Sequence, residues 1–384
     1  MKIAVPKETV ADEARVALVP EVVAKLTAKG HQVFVQSGAG AGALIPDQLF
    51  VEAGAQITAD IESLWSADLV AKVAPPTVQE ALLLNSSVTL ISFLEPLTNG
   101  AGVKAVADSG ATAFALEAVP RISRAQSMDA LSSQSNVAGY RAALLGATLM
   151  QRFYPMLMTA AGTIRPAKVL VLGAGVAGLQ AIATARRLGA VVLGFDVRAA
   201  VKEQVQSLGA VFLELDLGGD GEGEGGYAKE LTADQQELQR TLLAQAIADC
   251  DVVITTALIP GRPAPLLVTE DAVRGMKPGS VVIDLAGSAG GNCAVTVPGE
   301  TVVVHDVTIA APPNLPSMMA EHASQLYARN ILALLELMTS EEGSLSLDFD
   351  DEIIVGACVT RGGEIVHQGA KAAAGATSTP ASGA

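Results

Sequence analysis

Apolar positions along this chain fall into two kinds of run, and their alternation predicts the architecture. Short stretches of Val, Ile and Leu with no polar break read as strands hidden on both faces. Longer stretches with apolar residues three and four apart read as amphipathic helices. From Met1 to about Gly110 strands are expected at Ile3–Val5, Val33–Val35, Leu69–Val73, Val88–Phe93 and Thr112–Leu116. Helices fall between them, one opening at Pro20-Glu21 and stopping at Gly30. Such alternation implies βαβ units and a parallel sheet. A second series is expected at Val169–Leu172, Val191–Phe195, Val211–Leu215, Val252–Thr255, Val281–Leu285 and Thr301–Val304. A helix from about Asn136 to Phe153 leads into it, and one from Ser317 to Met338 returns the chain to the first domain. Ile353–Val359 and Glu364–Val366, joined across Arg361-Gly362-Gly363, read as a hairpin, and the tail after Gly369 as disordered. The expected class is α/β: two doubly wound parallel-sheet domains, with the C-terminal part of the chain returning to the first. The expected boundaries are 1–131 plus 341–384 for the first domain and 153–314 for a dinucleotide-binding (Rossmann) domain. Connecting helices take 132–152 and 315–340.

One stretch organises the rest. Val169–Leu172 runs straight into Gly173-Ala174-Gly175-Val176-Ala177-Gly178, then into a helix with Leu179, Ile182 and Ala183 at helical spacing, closed by Arg186, Arg187 and Gly189. Gly173 permits the turn, Gly175 lets a pyrophosphate approach backbone N–H groups at a helix N-terminus, and Gly178 lets helix and strand pack closely. The next strand ends on Asp196, 21 residues after Gly175, where the dinucleotide fold places the carboxylate that takes the adenosine ribose. An acid there repels a 2′-phosphate, so the expected cofactor is NAD(H), not NADP(H). The alternative is a membrane span, because Val169 to Ala185 carries no charge; that run is short of the ~20 residues a span needs and its glycines follow a phosphate-loop pattern. In a sheet of order 3-2-1-4-5-6, loops after the fourth and fifth strands lie on the nicotinamide side, so Ala257 and Leu258 are expected to line that half.

Composition narrows the picture. In 384 residues half are apolar but only 3% aromatic, so the cores are built from Ala, Val, Leu and Ile. The net charge of −15 argues against nucleic acid and anionic lipid as direct partners, whose binding is driven by Lys and Arg. Cys250, Cys293 and Cys358 show no CxxC and no nearby His, so they read as reduced small hydrophobes and no metal is expected. The N-terminus MKIAVPKE lacks the pattern of an export signal.

Several stretches leave alternatives open. Ser37-Gly38-Ala39-Gly40-Ala41-Gly42 is followed by Ala43-Leu44-Ile45-Pro46, which cannot begin a helix at once, so a plain loop is preferred to a second nucleotide site. Arg15 and Lys72 either face the interdomain cleft as anion contacts or lie on solvated surface. The run from Arg121 to Asn136 packs two Arg, two Gln, an Asp and five Ser with no apolar stripe. It is either a loop shaped around a polar ligand or a solvated loop with capping serines. Asp216 to Gly226 is rich in Gly and acids and reads as a mobile loop. Tyr227 at its end either closes over a cofactor or anchors the next helix, and the residues alone favour the anchor.

With these residues in view, the chain resembles the NAD(H)-binding component, domain I, of the proton-translocating nicotinamide nucleotide transhydrogenases. The similarity runs through KIAVPKE, PRISRAQSMDALSSQSNVAGYRA, GAGVAGLQAIATARRLGAVVLGFDVRAA, GGYAKE, ITTALIPGRPAP and IDLA to the final hairpin, nearly the whole chain. The loop RISRAQSMD together with GGYAKE is its specific portion. The resemblance implies direct hydride transfer between NAD(H) held here and NADP(H) held by a partner domain, coupled to proton passage through membrane subunits. It implies a homodimer, cytoplasmic and peripheral at the inner face of the membrane through its partner subunits, with no insertion of its own. It implies that Arg121, Gln126, Asp129 and Ser132 position the nicotinamide and its ribose, with Gln126 reaching toward the second nucleotide. It makes Tyr227 the tyrosine that folds onto bound cofactor, against the residue-level preference, and adds Val197, Arg198 and Gly226 to the cofactor contacts alongside Gly173, Gly175, Val176, Ala177, Gly178, Asp196, Ala257 and Leu258. Hydride transfer between two nicotinamides needs no general acid or base, which suits a chain whose His31, His305, His322 and His367 are scattered. A second resemblance, to alanine dehydrogenase, spans the same two domains and implies Arg15 and Lys72 as pyruvate contacts. That family places a His just after an apolar strand, where Phe93-Leu94-Glu95-Pro96 stands here, so the amino-acid reaction lacks its acid/base group.

Overall fold

The computed structural model describes residues 1–215 and 232–377. In chain order its strands are β1 (Lys2–Val5), β2 (Gln32–Gln36), β3 (Gln56–Thr58), β4 (Leu69–Ala71), β5 (Thr89–Ser92), β6 (Thr112–Ala115), β7 (Leu157–Thr159), β8 (Gly162–Ile164) and β9 (Lys168–Leu172). There follow β10 (Val191–Phe195), β11 (Val211–Phe212), β12 (Val252–Thr255), β13 (Val281–Asp284), β14 (Thr301–Val304), β15 (Val307–Ala310), β16 (Cys358–Arg361) and β17 (Glu364–Ile365). Two compact units result, one from residues 1–134 with 317–384, the other from 135–316.

In the first unit the sheet order is β17-β16-β6-β5-β4-β1-β2-β3, parallel from β6 to β3 and antiparallel at β16 and β17. Alternation along a strand sends Ile3 and Val5 into one core and Ala4 into another, which is why the strands read as unbroken apolar runs. In the second unit the order is β11-β10-β9-β12-β13-β15-β14. Both sheets reverse direction of winding at their centre, beside β1 and beside β9, the topological switch point of a doubly wound fold. The charge-free run Val169 to Ala185 divides between β9 and the helix Val176–Arg187, and among the described residues no helix is long and apolar enough to cross a membrane.

The structure corrects several local expectations. Thr301–Val304 is not the sixth parallel strand: it forms the antiparallel edge strand β14, and β15 pairs with β13 in its place. The turn between them is His305-Asp306, both left-handed with φ of 52° and 60°, the geometry of a two-residue hairpin turn. Ile353 to Ala357 is helix, not strand; Asp351 caps Glu352–Ala357 by accepting the Ile353 N–H, and Ile353, Ile354 and Ala357 are buried at helical spacing. Only β16 and β17 form the hairpin. The tail is ordered where a disordered segment was expected, because Gln368–Thr377 is a helix that packs against Gly100–Asp108, where a β-carbon at Gly100 would meet the Ala373 backbone. Residues 378–384 lie outside the described residues.

Glu117, two residues past β6, staples the turn after β5. Its Oε1 accepts the N–H groups of Leu94 at 2.7 Å and Glu95 at 2.6 Å, and Glu95 is left-handed at φ 52°. Its Oε2 is buried with no partner among the described residues, and burial pushes the carboxyl up to about 7, against the pull of those backbone bonds. A carboxyl raised in the folded state stabilises the fold below its ordinary range and loses that contribution as pH climbs through about 7. Glu117→Gln, which keeps the accepting oxygen and cannot ionise, is therefore expected to gain on the order of 1–3 kcal/mol relative to wild type between pH 5 and pH 8.5. Thermal melts of both proteins at the two pH values check this, and an unchanged difference in melting temperature contradicts it.

Candidate functional site

In the second unit, the switch point is built by glycine packing. Gly173 leaves β9 at φ 99°, a left-handed conformation, and its carbonyl occupies the place a β-carbon of residue 178 would take. Helix Val176–Arg187 can start only because Gly178 has no side chain there. Gly175 is the residue before the helix, and no side chain caps that N-terminus; a β-carbon on Gly175 would meet nothing within 4 Å. Val176 is exposed and Ala177 half-buried, so the first helical turn presents backbone N–H groups to open space. An anionic diphosphate fits such a cradle.

Asp196 ends β10 beside it. Oδ2 accepts the Ala174 N–H at 2.7 Å and Arg198 Nη2 at 2.8 Å, while Oδ1 accepts the Arg198 N–H at 2.9 Å and its Nε at 2.8 Å. The carboxylate thus ties the glycine loop to the following strand, with Val197 half-buried between the pair. Across the switch point, Thr256 donates to the Gly173 carbonyl at 3.1 Å and leads into Ala257, half-buried, and Leu258, exposed. The sequence reasoning missed Thr256 and Asp284. Asp284 is fully buried at the end of β13, and an acid closing an apolar central strand before a Gly-rich loop is the signal that marks it.

The polar loop lies in the first unit. Ser123–Met128 forms a 3₁₀ turn, Arg124 makes a bidentate ion pair with Asp351 at 2.6 and 2.9 Å, and Asn330 donates to the Ser127 carbonyl at 2.8 Å. Asp129 caps the helix Ala130–Leu149, accepting the Ser132 N–H at 2.9 Å and its hydroxyl at 2.6 Å. Arg121 and Gln126 are exposed. The loop therefore combines both readings of its composition: capping by Asp129 and Ser132, and two long polar side chains held outward from an anchored turn.

Arg15 and Lys72 are not on solvated surface. Lys72 is fully buried, 2.9 Å from Glu8 and 3.3 Å from Glu80, with Trp65 at 5.8 Å from its ammonium. Burial pushes the Glu8 carboxyl up while the Lys72 charge pulls it down, and burial prevails. Arg15 donates to Glu13 at 2.8 and 2.6 Å and to Gln134 at 2.8 Å. The chain itself supplies the counter-charges of both cations. Gly226 and Tyr227 lie outside the described residues.

Comparison with known proteins agrees with this layout. The family described as alanine dehydrogenase/PNT matches twice, its N-terminal domain over residues 4–138 and its C-terminal domain over residues 142–368. Over 376 residues the chain is 50% identical to the first of the separate pieces that make up NAD(P) transhydrogenase subunit alpha in Rhodospirillum rubrum, covering 96% of this chain and 98% of that one. It is 31% identical to alanine dehydrogenase of Bacillus subtilis over 96% of this chain and 93% of the relative. The crystal structure of transhydrogenase from Sinorhizobium meliloti superimposes with a TM-score of 0.84 at 44% identity, covering 96% of this chain and 99% of that one.

Two glycine substitutions separate packing from binding. Gly178→Ala forces its β-carbon into the Gly173 carbonyl and is expected to lower stability by about 2 kcal/mol or more, read in thermal melts. Gly175→Ala meets open space and is expected to leave the melting temperature within a few degrees while NADH affinity falls at least ~tenfold, because the methyl group stands where a diphosphate must approach. Equal effects of the two on stability contradict the assignment.

Proposed function

The chain belongs to the alanine dehydrogenase/PNT family, and from that membership we propose that it is the NAD(H)-binding component of a proton-translocating NAD(P) transhydrogenase. Its activity is direct hydride transfer between NAD(H) held here and NADP(H) held by a partner domain, coupled to proton translocation by membrane subunits. Bound NAD(H) supplies the hydride or the ring that accepts it. The observation that carries the choice within the family is Glu95: the turn after β5 holds an exposed, left-handed glutamate and no imidazole, so a group able to trade protons with an amino acid is missing where alanine dehydrogenase needs one. Greater identity to the transhydrogenase subunit than to alanine dehydrogenase supports the same choice.

In this account Gly173, Gly175, Val176, Ala177 and Gly178 cradle the diphosphate with backbone N–H groups, and Asp196 selects a ribose without a 2′-phosphate. Both oxygens of that carboxylate are engaged in the free protein, each by the Arg198 side chain and by a backbone N–H, so ribose hydroxyls take the place of the guanidinium on binding. Ala257 and Leu258 wall the nicotinamide half. Arg121, Gln126, Asp129 and Ser132 position the nicotinamide and its ribose, the exposed Arg121 and Gln126 by contact and the bonded Asp129 and Ser132 by fixing the loop. Gly226 and Tyr227 complete the cofactor contacts. No residue is asked to move a proton at the reacting carbons; the protein orients the ring and excludes water.

The chain acts as a homodimer, peripheral to the cytoplasmic face of the membrane through its partners. The antiparallel arm β7–β8 supports the dimer: among the described residues its strands pair only with each other, and Met156, Met158 and Ile164 on it, with Phe153 before it, are exposed, Met158 by 75%. A two-stranded ribbon with an apolar face needs a second surface to be stable.

Gln126→Asn is expected to slow hydride transfer to the partner-held nucleotide at least ~tenfold while NADH affinity stays within about threefold, since a shortened positioning group misplaces the ring without removing the diphosphate contacts. A large affinity loss with normal transfer contradicts the role. Rapid NADH oxidation by the purified chain with pyruvate and ammonia would overturn the choice against alanine dehydrogenase. Met158→Asp is expected to convert the dimer to monomer at micromolar concentration by sedimentation velocity; a wild-type monomer contradicts the dimer.

A further inference from the structure

The loop 257–268 that follows Thr256 is closed around one side chain, Asn292, which is fully buried. Its Oδ1 accepts the Ala257 N–H at 3.1 Å, and its Nδ2 donates to the Ala257 carbonyl at 2.9 Å and the Pro265 carbonyl at 2.8 Å. Its own carbonyl accepts the Leu267 and Val268 N–H groups, each at 2.9 Å. One residue thus binds both the beginning and the end of the loop.

Asn292 is itself fixed from below. Its N–H donates to Asp284 Oδ2 at 2.8 Å, as does that of Cys293 at 3.1 Å, and the Thr296 hydroxyl reaches the same oxygen at 2.6 Å. Asp284 Oδ1 accepts the Thr255 hydroxyl and the Ala286 N–H, both at 2.9 Å. Gly290 and Gly291, left-handed at φ 98° and 83°, turn the chain so that Asn292 arrives over the carboxylate, and a β-carbon at 291 would press on Asp284. A buried carboxylate with both oxygens held by several donors is rigid, because any movement strands a charge.

From this brace we infer that Asn292 is a positioning residue for the nicotinamide half of the cofactor, acting through Ala257; the inference rests on the dinucleotide reading of the switch point. Both backbone polar groups of Ala257 are spent on Asn292, so this residue offers a ligand shape and no hydrogen bond. Thr256, one residue earlier, is tied to the Gly173 carbonyl, so the same brace sets the wall on the nicotinamide side relative to the diphosphate cradle. Asn is suited to this and Asp is not: a carboxylate can accept from the Ala257 N–H but cannot donate to the two carbonyls.

The test compares wild type with Asn292→Ala and Asn292→Asp in the full chain. Affinity for 5′-AMP, which reaches only the adenosine side, is expected to stay within about threefold, while hydride transfer to an NADP(H)-loaded partner domain falls about 10- to 100-fold, the cost of a ~1 Å misplacement of the ring. Hydrogen–deuterium exchange supplies a readout that needs no variant. Peptides spanning 257–268 in the wild type are expected to be protected before NADH is added and to gain little on binding. Protection that appears only with NADH, unchanged transfer in both variants, or a parallel loss of AMP and NADH affinity with a falling melting temperature overturns the positioning role. Wild type that binds neither NADH nor 5′-AMP overturns the dinucleotide reading and the inference with it, and is seen before any variant is made.

Discussion

The absence of one β-carbon fixes the geometry on which the second unit depends. With hydrogen alone at Gly178, the Gly173 carbonyl lies against the start of the helix Val176–Arg187, and the helix axis meets the end of β9 at close range. That contact aims an uncapped row of N–H groups at the switch point between β9 and β12, where the sheet order reverses and the strands on either side diverge. Thr256 and Asp196 then bind the same loop from its two flanks, through Gly173 and through Ala174. Strand, loop and helix become a rigid concave surface whose open N–H groups call for an anion.

Elsewhere the chain satisfies its own charges. Lys72 has Glu8 and Glu80, Arg15 has Glu13 and Gln134, and Asp284 has donors from Thr255, Ala286, Asn292, Cys293 and Thr296. Buried charges arranged so fully serve as fixed points, since removing one partner leaves the other uncompensated. What they do not provide is a poised acid/base pair beside the dinucleotide cradle. A protein whose task is to hold one ring still for another needs orientation and exclusion of water more than proton transfer, and its rigid, fully bonded loops match that task.

How much of this was legible in the sequence follows from how local each feature is. The stretch from Lys168 to Arg198 was readable because every element of its role is set by near neighbours: β-branched strand, left-handed glycine, small residue at the crossing, acid at the next strand's end. The sixth parallel strand was misplaced because Thr301–Val304 and Val307–Ala310 are equally β-prone; only the left-handed pair His305-Asp306 distinguishes a hairpin from a crossover, and neither residue is a glycine. The helix Glu352–Ala357 was read as strand because Ile353-Ile354-Val355 is β-branched, and burial of 353, 354 and 357 on one face overrode propensity. The C-terminal Ala-rich segment has helix propensity that its Gly and Ser content obscured, and the helix forms on a surface supplied by Gly100–Asp108 far back in the chain. Burial of Lys72 was invisible because Glu8, its nearer partner, is 64 residues away. The role of Asn292 was equally hidden, since its partner Ala257 lies 35 residues upstream.

The central claim is that the chain delivers a hydride from one nicotinamide to another with no proton exchange at the reacting carbons. The most direct measurement uses NADH carrying deuterium at the transferred C4 position, mixed with this chain and an NADP⁺-loaded partner domain, with the product isolated and its isotope content read by mass spectrometry. The account predicts that the deuterium appears at C4 of the NADPH formed, without dilution from solvent and only when the chain is present. Deuterium lost to water, or NADPH formed equally well without the chain, contradicts it.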